Sequence, residues 1–191
     1  MRTGPTLTRF LLTILPTATL AAVVVDMRER LHARIGSFSG RNLQPHITLC
    51  FLDLPETHEA DIIRAIESGV AGQRPFTLHY RGITHFPDRR TIYIDPVEKE
   101  AIATVRTPIV AALRQQQALS PALRETGHPH LTIAAGLMPA QFEKAWGMLG
   151  LCGVETAGQV GEVVLLKRLL RQGERYALVQ AFPLHGTEAA H

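Results

Sequence analysis

Residues 10–15 are an almost unbroken apolar run, FLLTIL, about the length of a buried strand. Pro16 ends the run, and Thr17 stands where a helix N-cap belongs. Beyond it Val24, Met27 and Leu31 recur at helical spacing through a segment that turns charged at Asp26, so a helix is predicted to run to Ile35. The same stretch, with Arg2 and Arg9 ahead of apolar and small residues, has the outline of a secretory signal peptide. Pro16 breaks the apolar run well short of the ~20 residues a membrane span needs. The helical period also continues into the charged part. A strand and a helix of the folded domain is therefore the reading taken, over a cleaved leader.

The pattern continues in alternation. A polar loop covers 36–45, and a strand is predicted at 46–52. Residues 55–71 read as a helix, acidic at the start and striped by Ile62, Ile63 and Ile66. Residues 75–86 and 90–96 alternate like antiparallel strands around a turn at 87–89. A long helix is predicted at 97–117, with Pro108 as a candidate kink. Then come a strand at 130–135, a helix at 139–149, and two closing strands at 161–170 and 175–184 around a glycine-containing turn at 171–174. The tail from 185 is expected to fray. No solenoid period and no low-complexity linker is visible. The order reads as one unit used twice.

Composition narrows this only a little. A chain of 191 residues suggests one domain, or two small lobes sharing a core. Hydrophobic content of 46% with 19% charged residues argues against wholesale disorder. A net charge of +3 favours an anionic ligand but falls short of the concentrated patch of a dedicated nucleic-acid binder. Cys50 and Cys152 make neither a disulfide framework nor a zinc-ligand spacing, so reduced cytosolic thiols are expected.

The chemistry lies on two strands. Alternate side chains share a face. His46, Thr48 and Cys50 are thus predicted to point one way, and Ile47, Leu49 and Phe51 the other. In HLTIAA, His130, Thr132 and Ala134 sort from Leu131, Ile133 and Ala135 in the same manner. Both motifs follow a proline, Pro45 or Pro129. If the halves are related by a pseudo-twofold axis, the two polar faces can meet across a cleft. Histidine titrates near neutrality, so a facing pair can hold one ring as base and one as acid. That suits in-line displacement at phosphorus, with the threonine hydroxyls donating to the non-bridging oxygens. Acid, base and charge-stabilising donors are all present as side chains, so the chemistry requires no metal and no cofactor.

HITL (46–49) and HLTI (130–133) resemble the paired His-x-Thr motifs of the 2H phosphoesterase superfamily, and most closely its RNA 2′,3′-cyclic phosphodiesterase/2′-5′ RNA ligase branch. RFLLTILP is similar to that family's opening strand, HITLCFL to its first motif run, and the segment 163–184, with Tyr176, to its closing strands. The resemblance covers most of the chain. It implies an α+β fold, bilobal, with two interleaved, pseudo-symmetric lobes of antiparallel sheet plus helices in one domain over 1–191, and a basic cleft between them. It implies hydrolysis of 2′,3′-cyclic phosphates of RNA ends or small cyclic nucleotides to 2′-phosphates, with reversible 2′-5′ RNA ligation as a further activity. His46 would be the acid toward the leaving oxygen, His130 the base on water, and Thr48 and Thr132 the phosphoryl ligands. A cytoplasmic monomer with no membrane partner is the matching expectation.

One departure stands out. Many relatives follow the second motif with an arginine, where this chain has Ala134 and Ala135. Arg41 and Arg124, ahead of the two motifs, are the positional substitutes for substrate binding, and each could equally be an ordinary solvated arginine. Tyr176 either lines the cleft or sits in the core with its hydroxyl satisfied. Phe51 is assigned to the core, His128 to the strand entrance, His79 and His85 to structural or exposed places, and Cys50 to a buried thiol. Two other functions compete: a non-catalytic RNA- or nucleotide-binding module, motivated by mild basicity and the missing arginine, and a metal site at His46, His128 and His130. The second lacks an obvious further ligand.

Overall fold

The computed structural model describes residues 6–171 and 175–186. Most of the predicted 171–174 turn, and the tail from 187 on, lie outside the described residues. The strands are β1 (Leu7–Ile14), β2 (Ile47–Pro55), β3 (Phe76–His85), β4 (Ile92–Pro96), β5 (Leu123–Glu125), β6 (Leu131–Ala134), β7 (Glu155–Val160), β8 (Glu162–Leu169) and β9 (Ala177–Pro183). The helices are α1 (Ala18–Ile35), α2 (Glu59–Val70), α3 (Lys99–Gln115) and α4 (Pro139–Leu149). The fold is α+β and the sheet antiparallel, in the order β7-β3-β4-β6-β2-β1-β8-β9, with β5 paired to β2.

Thr17 caps α1 as predicted, its hydroxyl accepting from the Leu20 N–H at 3.3 Å. Among the described residues no helix is long and apolar enough to cross a membrane. α1 packs on α4 and β6, while α2 packs on α3 and β9. α2 and α3 cross closely at Gly69, where a Cβ would stand 2.4 Å from the Ile109 Cα. α3 runs through Pro108 as one helix. One large core forms between the helices and the sheet face carrying Ile47, Leu49, Leu131 and Ile133.

The sequence pattern did not disclose two strands. β5 is three residues long, too short to show a period. β7, ETAGQV, is an edge strand with one buried residue and a glycine, so it has no apolar alternation.

The two central strands, β2 and β6, meet at a single register pair, Ile47 with Leu131. Each also carries a bulge in the same place. Against β1, the β2 register slips between Thr48 and Cys50, leaving Leu49 extra. Against β4, the β6 register slips between Thr132 and Ala134, leaving Ile133 extra. An extra residue reverses the face of everything after it. The strict alternation expected from sequence is therefore corrected in both motifs. Cys50 and Ala134 turn into the main core with no exposure. Phe51 turns out of it, joining a smaller cluster with Leu11, Val164, Leu166 and Tyr176 on the other sheet face.

Candidate active site

His46 and His130 lie immediately before the strands they introduce. Extending the Ile47–Leu131 register by one residue each way sets His46 opposite Thr132 and Thr48 opposite His130. Directly opposed residues in an antiparallel pair share a face, with Cβ atoms about 5 Å apart. Two imidazoles and two hydroxyls thus form a compact quartet around the one register pair between β2 and β6 among the described residues. All four residues are half-buried.

Each ring is oriented by its own chain. His46 Nδ1 lies 2.7 Å from the Gln44 carbonyl oxygen, and His130 Nδ1 lies 2.8 Å from that of His128. A carbonyl can only accept, so Nδ1 carries the hydrogen and Nε2 is the nitrogen left with a lone pair for chemistry. Pro45 and Pro129 occupy the intervening positions and fix φ there. The repeated proline is thus part of the device that aims each imidazole. Burial pushes both histidines below their usual value, opposed by the bond to the upstream carbonyl. Arg28 and His130 lower His46 further. His128 lowers His130, and Asp95 raises it.

An aromatic frame surrounds His130. Phe86 and Tyr93 meet its ring at centroid distances of 4.9 and 5.2 Å, both near T-shaped. Tyr93 pairs with Thr132 across the β4–β6 ladder and so shares its face. His128 sits 6.3 Å from His130, ring to ring, and its Nε2 is 3.6 Å from Asp95, which Lys99 also holds at 2.9 Å. Tyr176 lines the site rather than the main core: its ring is 6.5 Å from that of His46, with the Arg168 guanidinium 4.9 Å above it. Arg9 lies 4.4 Å over Phe51 and makes a two-pronged bond to Asp53, 2.7 Å at each prong. The face beside His46 is therefore apolar and aromatic, rimmed by arginines.

Neither substitute arginine is brought to the histidines. Arg41 pairs with Glu29 of α1 at 3.0 Å, because the 36–45 loop folds back along that helix. Arg124 stands opposite Phe51 on β5, and its Nη1 donates to the Pro121 and Leu123 carbonyls at 2.8 and 3.0 Å. His79 bonds Glu98, and His85 packs on Phe142 and Trp146, both apart from the quartet. Burial pushes the Cys50 thiol up to about 12, an inert group. Among the described residues no three His, Cys, Asp or Glu side chains converge as a metal cluster would require. A cavity of about 540 Å³ lined by Arg89, Arg90, Leu137, Met138 and Phe142 contains none of the quartet.

Sequence reasoning missed Phe86, Tyr93, Asp95 and Arg28. Tyr93 and Asp95 alternate with Ile92 and Ile94, a polar face that could have been read from TIYIDP. Arg28 continues the buried stripe Leu20, Val24, Leu31, in which one position is charged.

Residues 16–172 match the model of the 2'-5' RNA ligase superfamily. A curated relative from Shouchella clausii (strain KSM-K16), named "Putative phosphoesterase ABC1741", is 27% identical over 151 residues, covering 76% of this chain and 82% of that one. Among solved structures, TT0787 of Thermus thermophilus superposes with a TM-score of 0.73 at 20% identity, covering 94% of this chain and 99% of that one. E. coli LigT complexed with NADP+ gives 0.64 at 17% identity, covering 96% and 99%. The same protein complexed with 3'-AMP gives 0.62 at 18%, covering 93% and 98%. At these identities the structures share the fold.

Proposed function

Because the chain belongs to the 2'-5' RNA ligase superfamily, we propose that it is a phosphodiesterase opening 2′,3′-cyclic phosphates on RNA ends or small nucleotides. The observation carrying this reading is the quartet itself: two imidazoles, each held at Nδ1 by its own chain, and two threonines set opposite them by one register pair. Water attacks phosphorus while His130 Nε2 takes its proton. The bond from phosphorus to O3′ breaks, and His46 Nε2–H protonates that oxygen. The products are a 2′-phosphate and a free 3′ hydroxyl. The hydroxyls of Thr48 and Thr132 donate to the non-bridging oxygens as charge builds there. With a 5′ hydroxyl attacking in place of water, the same groups join two RNA ends through a 2′-5′ bond. The nucleotides named in the LigT complexes, NADP+ and 3'-AMP, are consistent with a nucleotide ligand here. The apolar face of Phe51 and Tyr176 is where a base would lie, and the two lobes of one domain would be the two halves of the sheet flanking the quartet.

The test is hydrolysis of 2′,3′-cyclic AMP by the unmodified protein and by His46→Ala and His130→Ala. Each substitution is expected to cost about 10²–10⁴-fold in kcat. A p-nitrophenyl phosphodiester, whose leaving group needs no acid, separates the roles. The His46 variant should recover most of its loss on that substrate and the His130 variant should not. Full activity of either variant on the cyclic nucleotide would sink the reading, and recovery by the His130 variant alone would reverse the two roles.

A further inference from the structure

Beyond the shared Ile47–Leu131 pair, the facing edges of β2 and β6 need other hydrogen-bond partners, and the two strands solve this in parallel ways. On β2 the Thr126 hydroxyl lies 2.8 Å from the Thr48 carbonyl oxygen and 3.2 Å from that of Leu49, and β5 pairs from Cys50 onward. On β6 the equivalent oxygens belong to Thr132 and Ile133. Arg28 Nη2 donates to the first at 2.7 Å and Nε to the second at 3.1 Å, and Ser39 bridges to Ala135 just beyond. Thr126 and Arg28 thus occupy corresponding places, each behind the bulge that follows a motif threonine.

The correspondence is one of position and not of charge. Thr126 is neutral. Arg28 is a guanidinium only 3% exposed, and it forms no ion pair among the described residues. Its third bond, from Nη1, goes to the Leu43 carbonyl in the loop that leads to His46. Burial lowers it to about 10, so it stays cationic at neutral pH. A buried cation held only by carbonyls is a costly arrangement. At the matching place in the other half a hydroxyl suffices, so satisfying the bulge does not by itself require the charge.

We propose that Arg28 is a positioning residue of the site: it fixes the bulge that presents Thr132, ties the His46 loop to β6, and supplies a buried positive charge whose counter-ion is the phosphoryl group of the ligand. This rests on the reading of the quartet as a phosphoryl-transfer site. The groups facing His46 are Arg28 from α1, His130 from the entrance to β6 and Tyr176 ahead of β9. Those facing His130 are His46, His128, Asp95 and Tyr93. Only Arg28 is altered in the test.

The experiment compares the unmodified chain with Arg28→Gln and Arg28→Lys. It reads the NMR titration of the His46 ring in the free protein, the affinity for inorganic phosphate, and kcat and KM on 2′,3′-cyclic AMP. Glutamine keeps a donor and removes the charge. The His46 titration should move up, and phosphate affinity should fall on the order of tenfold, as expected for one partly screened charge. Lysine keeps the charge and removes the fork. The His46 titration should hold while kcat drops about tenfold or more, because Thr132 is no longer held in place. A folded glutamine variant with an unmoved His46 titration and phosphate affinity within about twofold would overturn the proposal. If that variant does not fold, the unmodified chain decides. Phosphate should shift the Arg28 Nε–H and Thr132 amide resonances together, and saturation without either shift overturns the proposal. The ring titration and phosphate binding need no turnover, so they stand apart from failure of the phosphodiesterase reading itself.

Discussion

Each histidine is aimed by the carbonyl two residues upstream, and both are pushed below their usual range by burial. Both rings are therefore largely neutral in the free protein at pH 7, whereas the proposed chemistry needs one proton shared between them. The population with one ring protonated grows as pH falls toward the folded-state values. The profile of kcat/KM against pH should be a bell with its apex on the acid side of about 6.5, the ordinary histidine value. An apex above about pH 7.5 would contradict the assignment. Asp95 raises His130, so Asp95→Asn should move the apex further to acid; an unmoved or alkaline-shifted apex would remove Asp95 from the site's electrostatics. The motif residues were legible because histidine and threonine stand out on apolar strands. Arg28 was not. Its neighbours in sequence, Arg30 and Glu29, are exposed, and a charged residue on a charged stretch of helix reads as solvated unless the stripe through Leu20, Val24 and Leu31 is followed through it.

At the scale of the strand, the paired bulges explain where face sorting failed. Period-two alternation sorted residues 46–49 and 130–133 as the structure has them, then inverted at Cys50 and Ala134, because a bulge leaves no mark in hydrophobicity when both flanking residues are apolar. The inversion has a chemical consequence. Cys50 should resist a thiol reagent in the native protein, while the exposed Cys152 reacts at once; equal rates for the two would mean that β2 lacks its bulge. Cys50→Ser should lower stability by about 1–3 kcal/mol in urea unfolding, since it buries a hydroxyl against aliphatic neighbours. Thr126→Val is the matching probe on the other side of the strand. It leaves the Thr48 and Leu49 carbonyls without their shared donor, and a loss of about 1–3 kcal/mol is expected. No change in the unfolding midpoint would show that the hydroxyl does not support the bulge.

Over the whole molecule, the sheet order brings together two segments that lie far apart in the chain, and one register pair between β2 and β6 sets the proposed site. The long helices and most strands could be anticipated from periodicity. The joining pair could not, since it is a long-range contact with no local signature. The same site couples to stability. Both histidines have folded-state values below those of the unfolded chain, so above about pH 6.5 they cost nothing. As pH falls through that value the unfolded chain takes up protons first, and stability drops until pH passes the folded values. A His46→Gln, His130→Gln double variant should therefore lose less stability than the parent between pH 7 and pH 5; identical acid limbs would contradict the shifts. The most direct test of the central claim is phosphorus NMR of 2′,3′-cyclic AMP incubated with the protein in EDTA. The account predicts conversion to 2′-AMP alone, abolished when His46 and His130 are both replaced by alanine. Persistence of the cyclic signal with the unmodified protein, or turnover that survives the double replacement, would contradict it.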